Sequence, residues 1–366
     1  MYPFQKDLFA TESRWYVACW DEDVSDQPIE RWILNRPLVL YRDSASRVVA
    51  LDGRCPHRGF PLAKGRVCDN SIECGYHGMR FDATGACVHI PSQEHIPSKM
   101  RVASYPVHEV WNWVWIWMGD PQHADVRDVP DHIALGLTDT ANWEPDVKVY
   151  SHVAARYQLL HDNLLDLSHV SFLHGSSIGT ADLARTGQRN THDDEWLNST
   201  RYVTDATLTP ALAAAWGVDG VVDRELSLTF MLPCLHWGHD RFLRSRSLDT
   251  ADAGRELAVR RIYHAITPAT RNSAHYFFVR ASGLHRSGTA PTLKFDYRKI
   301  IDEDVAAVEE VERLLAAGVE PVDISVRSDS HAVKARHLLE QMILADQHHV
   351  RVDRALSTIE SSGNTQ

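Results

Sequence analysis

Positive charge, long apolar runs and cysteine are all scarce in this sequence. Its 366 residues carry 38 Lys and Arg against 49 Asp and Glu, a formal charge of -11. No basic stripe is left to hold a phosphate backbone and no Gly-rich phosphate loop occurs, so nucleic acid is not an expected partner. No apolar stretch reaches the roughly 20 residues that cross a bilayer, and the opening MYPFQKDLFATES shows no charged leader before an apolar core, so a cytoplasmic chain without membrane contact is expected. Six cysteines are too few for a disulfide scaffold of this length in a reducing compartment, which leaves metal ligation or burial to account for them. Internal repeats and low-complexity segments are absent from the sequence.

What is present suffices for two domains, since 44% hydrophobic residues can fill a core in each. From Trp15 to about Asp120, short runs such as WYVACW, PLVLYRD and RVVALDG alternate with turn residues, the pattern of an all-β domain. In VWNWVWIWM, Trp111, Trp113, Trp115 and Trp117 recur at period two, which a core strand satisfies and a helix does not. The strand pattern stops at Gly119-Asp120-Pro121. The expected division is 1–130, then 131–356, with 357–366 read as a disordered tail. In the second part 156–174 has helical periodicity and 225–282 returns to strand-like runs, an α+β pattern. Asp302 to Ala317 reads as a helix with Asp302 as N-cap and a stripe of Val305, Val308, Val311 and Leu315, and a further helix covers about Ser328 to Arg354.

Two loops carry metal chemistry, Cys55-Pro56-His57-Arg58-Gly59 and Cys74-Gly75-Tyr76-His77-Gly78. Each offers one thiolate and one imidazole, and the glycine after each His permits the positive φ of a tight metal-cradling turn. Two sulfurs and two nitrogens suit tetrahedral zinc, or a 2Fe-2S cluster in which one iron takes both Cys and the other both His. Zinc fingers group like ligands, whereas here each loop is mixed, and in this the pair resembles a Rieske domain. Respiratory Rieske proteins carry a further cysteine in each loop. This chain has Arg58 to Pro61 and Gly75-Tyr76 there, so it is similar to the oxygenase and ferredoxin type. Cys19, Cys68, Cys87 and Cys234 lack comparable spacing and read as buried or half-buried thiols.

A second constellation lies within 156–174. Asn163, Asp166 and His169 recur every three residues and so would share one helix face, and His174 follows five residues after His169. Two such histidines alone are ordinary polar residues. The NxxDxxHxxxxH text, however, resembles the mononuclear-iron motif of Rieske oxygenases, which implies His169 and His174 as iron ligands. Non-heme Fe(II) oxygenases add one carboxylate and leave the remaining positions open. The resemblance places that carboxylate near the start of a late helix, where Asp302, Glu303 and Asp304 compete. Asp304 matches best, with Asp302 as the alternative.

The resemblance extends from about Trp15 to about Met342, through SRWYVACW, VWIWMGDP, DNLLDLSHVSFLH with its following SSIG, and ITPAT with HYFF. It points to the vanillate and dicamba O-demethylase branch of the Rieske non-heme iron oxygenases. It implies an α+β chain: an all-β Rieske domain, then a helix-grip catalytic domain with an antiparallel sheet and C-terminal helices. The implied cofactors are one 2Fe-2S cluster on Cys55, His57, Cys74 and His77 and one mononuclear Fe(II), with O2 as cosubstrate. NAD(P)H acts only through a separate reductase, with or without a ferredoxin. A head-to-tail homotrimer is implied, in which Asp166 joins His77 of one chain to His169 of its neighbour, with Asn163 close by. The implied reaction is oxidative O- or N-demethylation of a small aromatic substrate, releasing formaldehyde. Ring dihydroxylation, methyl hydroxylation and a purely electron-carrying Rieske protein are the alternatives. His264 matches a substrate-contacting His. Phe295 falls where the dicamba enzyme has Trp, a departure that bears on substrate, and Cys234, His236 and His239 are further candidates near the pocket.

Overall fold

The computed structural model describes residues 4, 8–139, 141–218, 220–283 and 296–363, with side chains placed to residue 348 except that of Ala211. The chain forms two compact units, one of 12–132 with 267–271, the other of 1–11, 133–266 and 272–366.

The first unit is all β. Its strands are β1 (Trp15–Trp20), β2 (Ile29–Ile33), β3 (Arg36–Arg42), β4 (Val48–Asp52), β5 (Arg66–Cys68), β6 (Ser71–Glu73), β7 (Arg80–Asp82), β8 (Cys87–His89), β9 (Ser104–Tyr105), β10 (Val107–Val110) and β11 (Trp113–Trp117). They form three small sheets, ordered β1-β11-β10, β2-β3-β4-β9 and β5-β6-β7-β8. β11 is buried on both faces, and Trp113 meets Trp115 edge to face at 5.9 Å. Trp111 does not continue the strand. It stands at φ +57° in the two-residue turn that pairs Val110 with Trp113, where hairpin twist requires positive φ. Cys19 is buried, which pushes its thiol up to about 12 and leaves it inert.

The second unit is built on a seven-stranded antiparallel sheet of β12 (Trp143–Val153), β13 (Gln188–His192), β14 (Trp196–Ala206), β15 (Val222–Met231), β16 (Leu235–Arg244), β17 (Glu256–Thr270) and β18 (Ser273–Gly283). The order is β12-β18-β17-β16-β15-β14-β13, so chain neighbours pair except where β12 closes onto β18. The helices that matter for the site are α1 (Tyr157–Leu165), α2 (Pro210–Trp216), α3 (Tyr297–Ala316) and α4 (Ser330–Gly363). The backbone of α4 is thus helical through most of the segment read as a tail. Leu160, Leu164, Phe230, Ile266, Ile301 and Leu339 belong to one buried core shared by sheet and helices.

Two helices differ from the sequence reading. α1 ends at Leu165 rather than running to His174. Asp166 turns to φ -108° and ψ 89°, its carboxylate accepts the Ser168 N–H at 2.9 Å, and a 3-10 turn of Leu167–Ser171 follows. A short acidic side chain that bonds its own backbone competes with helix continuation. α3 starts earlier than expected, capped by Asp296, so Asp302 is an exposed residue inside the helix, paired with Arg298. The buried face of α3 is Tyr297, Ile300, Ile301, Asp304, Val308 and Glu312, and Val311 is exposed. Glu312 is buried there because Arg156 meets both its oxygens, Nε at 2.6 Å and Nη2 at 2.8 Å.

The core contains a neutral histidine pair, His161 Nδ1 lying 2.7 Å from His236 Nε2. Burial pushes His161 down to about 3 and His236 well below the ordinary range. The unfolded chain therefore takes up these protons first as pH falls. The stability is whole above about pH 6.5 and is lost toward pH 3. At pH 5 the loss from His161 is about 2 kcal/mol and His236 acts in the same direction, so the melting temperature falls between pH 7 and pH 5. An unchanged melting curve would mean that the rings already titrate normally.

Candidate metal centres and active site

The two cysteine loops have the same backbone. In the first, Cys55 N–H donates to Phe60 O and Gly59 N–H to Cys55 O; in the second, Cys74 N–H donates to Met79 O and Gly78 N–H to Cys74 O. Gly59 and Gly78 stand at φ +72° and +70°, a conformation that costs a residue with a Cβ. Cys55 and Cys74 are buried, whereas His57 is half-buried, His77 is exposed, and their Nδ1 atoms are 3.2 Å apart. The loops thus present sulfurs inward and nitrogens outward. Burial, with Cys74 beside it, pushes the Cys55 thiol up to about 11, so a thiolate at neutral pH requires a cation there. A single zinc with bonds of 2.0–2.3 Å would draw its ligand atoms within about 3.8 Å of one another. Among the described residues, the only group of three or more such ligand atoms within 4.8 Å is His169, His174 and Asp304. The four loop ligands are spread too widely for one ion, and a two-iron cluster with sulfurs at one end and nitrogens at the other fits them.

The second set lies in the other unit. His174 Nε2 is 3.0 Å and His169 Nε2 3.5 Å from Asp304 Oδ1. The opposite nitrogens are occupied: His174 Nδ1 donates to Glu303 Oε2 at 2.8 Å and His169 Nδ1 to the Asp166 carbonyl at 2.6 Å. With each Nδ1–H so engaged, each Nε2 would give its lone pair to a metal ion bound beside the carboxylate, and without the ion His174 Nε2–H donates to Asp304. Asn163 Nδ2 donates to Asp304 Oδ1 at 3.2 Å, and its own Oδ1 is buried without a partner. Burial raises the proton affinity of Asp304, but the His174 hydrogen bond and the charges of both histidines outweigh it and hold the carboxyl below its usual range. Two imidazoles and one ionised carboxylate on one side of a cavity make a facial set for Fe(II).

Asp304 reaches this place because it lies seven residues after Tyr297 and three after Ile301 on the buried face of α3, whereas Asp302 points away. Glu303, a competitor in the sequence, supports His174 instead. The contact expected between the Asp166 side chain and the His169 ring is made by the Asp166 main chain. Its carboxylate, 23% exposed, accepts from Ser168 N, Ser168 Oγ and Ser328 Oγ and lies 3.5 Å from Arg201 Nη2.

A cavity of about 80 Å³ opens onto this set, walled by aliphatic side chains such as Leu164, Leu167 and Ile262 and by the ring of Phe278. His264 lines it with Nδ1 at 2.7 Å from Tyr276 Oη, and burial pushes its ring down to about 4, so it is neutral at pH 7. None of Cys234, His236 and His239 lines the cavity: His236 meets His161, His239 meets Glu225, and Cys234 is buried elsewhere. Phe295 lies outside the described residues. Arg260, Trp216 and the Arg224–Asp240 pair are not among the residues that the sequence singles out, and for Glu303 the sequence offers only a ligand role. The alternation of Arg260, Ile262 and His264 along one strand was the available signal.

A 2Fe-2S domain joined to a sheet-based unit with a two-His, one-carboxylate set defines the oxygenase component of a Rieske non-heme iron enzyme. Family models agree, residues 14–106 matching the Rieske 2Fe-2S domain and 153–345 the vanillate O-demethylase oxygenase C-terminal domain. The chain belongs to this vanillate and dicamba O-demethylase family of Rieske monooxygenase oxygenase components. It is 33% identical to the iron-sulfur subunit of the toluene-4-sulfonate monooxygenase system of Comamonas testosteroni, over 91% of this chain and 96% of that protein. Identity to the oxygenase component of dicamba O-demethylase from Stenotrophomonas maltophilia is 31%, over 90% of this chain and 96% of the relative. The crystal structure of dicamba monooxygenase bound to dicamba superposes with a TM-score of 0.78 at 29% identity, covering 93% of this chain and all of that one. Its cofactors are accordingly a Rieske cluster and a mononuclear iron, and its relatives are parts of multicomponent systems that need a reductase. No helix among the described residues is long and apolar enough to cross a membrane.

Proposed function

We propose that the chain hydroxylates a methyl group on a small aromatic substrate, an O- or N-bound methyl that then leaves as formaldehyde. The reading is carried by an apolar, ring-lined cavity whose metal-facing end is His169, His174 and Asp304. In this reading Cys55 and Cys74 hold one iron of the cluster and His57 and His77 the other, while His169, His174 and Asp304 hold the mononuclear iron. The metals supply dioxygen activation with electrons from a separate reductase, with or without a ferredoxin. One oxygen atom enters the methyl C–H bond, the other leaves as water, and the hemiacetal or carbinolamine collapses to formaldehyde and the demethylated product.

The protein's part is positioning. Leu164, Leu167, Ile262 and Phe278 exclude water and hold an aromatic ring. His264, steadied by Tyr276, offers its Nε2 to the substrate as a neutral hydrogen-bonding group. Asn163 orients the Asp304 carboxylate, and Glu303 and the Asp166 carbonyl orient the two imidazoles. In a head-to-tail trimer the partly exposed Asp166 carboxylate would receive His77 of a neighbouring copy, linking the two centres through a single residue.

A second reading, hydroxylation of a carbon-bound methyl, is favoured by the relative named for toluene-4-sulfonate, whose methyl sits on the ring. Products separate the two. Purified protein with a surrogate reductase and NADH is screened against methoxy-, N-methyl- and C-methyl-aromatics. Formaldehyde released in step with NADH supports demethylation, and a benzylic alcohol without formaldehyde supports the second reading. A cis-diol holding both atoms of one O2 would overturn both.

A further inference from the structure

The cavity has a second polar end. Along β17, Arg260, Ile262 and His264 face it in alternation. His264 feels the charges of Asp304 and His169, and Arg260 lies four strand residues away, roughly 13 Å along the chain. On α3 a comparable interval separates Asp304 from Tyr297, about 10 Å over seven residues. Arg260 Nη1 donates to Tyr297 Oη at 3.0 Å, so strand and helix converge at an end of the cavity remote from the metal set.

Among the described residues this end carries two guanidiniums, Arg224 and Arg260, and one carboxylate, Asp240. Asp240 is the register partner of Arg260 across β16 and β17, but both its oxygens are taken by Arg224, at 3.0 and 2.8 Å. Arg224 thus takes the carboxylate that faces Arg260 across the sheet. Arg260, 8% exposed, has no carboxylate partner among the described residues. Of the five N–H donors of a guanidinium, Arg260 uses two, on Tyr297 Oη and on Ala215 O at 2.6 Å near the end of α2. Its carbon sits 4.0 Å from the centroid of the Trp216 ring. Trp216 also lines the cavity, is 6% exposed, and its Nε1 is buried with no acceptor among the described residues. A buried cation and a buried N–H left unpaired are costly, and an acceptor arriving with a ligand removes both costs.

We propose that Arg260, with Trp216 Nε1 beside it, is an oxyanion subsite that binds a carboxylate or sulfonate on the aromatic substrate and so determines which end of that molecule is presented to His169, His174 and Asp304. The inference rests on the reading of this cavity as the substrate site. A planar fork of N–H groups matches two oxygens of either anion. His264 cannot supply this charge, because it is neutral. The subsite makes the enzyme selective for aromatic acids over their amides. Arg260 acts by position and charge, and it takes no part in the chemistry at the metal end.

The test is calorimetric titration of anaerobic, metal-loaded protein with 4-methylbenzoate, 4-methylbenzenesulfonate and their neutral amides, at low and high salt. Wild-type protein is expected to bind at least one acid about tenfold or more tightly than its amide. Arg260→Gln should abolish that ratio while leaving amide affinity within about twofold, Arg260→Lys should keep part of it, and Trp216→Phe should weaken the acid alone. Equal binding of acid and amide by the wild type, or an equal loss for both in Arg260→Gln, would overturn the subsite and leave Arg260 as a cap on α2. Should Arg260→Gln fail to fold, the wild-type pair and Trp216→Phe still decide. Formaldehyde released from neutral substrates without any acid preference would sink this inference alone. Acid binding at Arg260 with no oxygenated product would instead sink the proposed function.

Discussion

Asp304→Ala is expected to keep the visible colour of the cluster, lose the mononuclear iron and lose turnover by more than about 100-fold, beyond the cost of disturbing a residue that merely supports a ligand. With iron bound, the carboxylate would be the only charged member of the set. Without it His174 Nε2 and Asn163 Nδ2 lose their shared acceptor, and two neutral imidazoles are left to hold Fe(II) in an apolar cavity. The cluster loops lie in the other unit, and their four ligand residues belong to its short loops. Metal analysis for iron and acid-labile sulfide, beside NADH-linked turnover, reads both effects. Asp304→Asn keeps the shape and should still lose most of the iron, since the amide brings no charge. Asp302→Ala should behave as wild type because Asp302 faces solvent beside Arg298. Iron loss in Asp302→Ala with iron retained in Asp304→Ala would contradict this placement of α3.

Asp166→Asn should have the second largest effect, and on a different step. The His169 Nδ1 partner is the Asp166 carbonyl, which any side chain preserves, so most of the mononuclear iron stays bound. What changes is the carboxylate. It accepts from Ser168 and Ser328 and faces Arg201, and an amide offers one acceptor oxygen and no charge in return. If that carboxylate receives His77 of a neighbouring copy, cluster oxidation in a single-turnover experiment slows by about 100-fold, within the range for residues that orient metal ligands. The measurement follows cluster absorbance after mixing pre-reduced protein and substrate with O2, with iron content and oligomer size determined on the same sample. Oxidation at the wild-type rate in an intact oligomer would reduce Asp166 to a cap on the 3-10 turn.

How far each site was legible follows the range of the interactions that build it. The cluster loops are local. Cys and His stand two or three residues apart, and each loop is closed by its own backbone hydrogen bonds and one glycine at positive φ, so spacing alone carries the ligand set. The pair His169 and His174 was legible only through the motif around it, because residues five apart on a continued helix point in different directions, and it is the turn of chain after the 3-10 segment Leu167–Ser171 that brings the two ring centroids within 5.3 Å. The run through 156–174 looks helical by apolar spacing, and only the Asp166 carboxylate turning back on Ser168 breaks it.

Three acidic residues in a row, Asp302, Glu303 and Asp304, are equivalent in composition and differ in direction. That direction follows from where α3 begins and which of its faces is buried. The cap at Asp296 and the packing of Tyr297, Ile300 and Ile301 settle it, and these come from residues outside the acidic run. The same holds for the far end of the cavity. Arg224, Asp240 and Arg260 lie on three neighbouring strands, and only the register of the sheet sets Asp240 opposite Arg260 while its oxygens turn to Arg224.

By itself, then, the sequence determined the two-domain order, the cluster loops and the class of chemistry, because those rest on ligands held by short loops and on motifs a few residues long. Tertiary structure alone decided that Asp304, of the three carboxylates, faces His169 and His174, that Glu303 and the Asp166 carbonyl meet the outer nitrogens of those histidines, and that Arg260, with no carboxylate partner among the described residues, lines the far end of the cavity. Each of these depends on which face of an element is turned inward. That choice is made by burial summed over the whole core, to which no single stretch of chain contributes enough to reveal it.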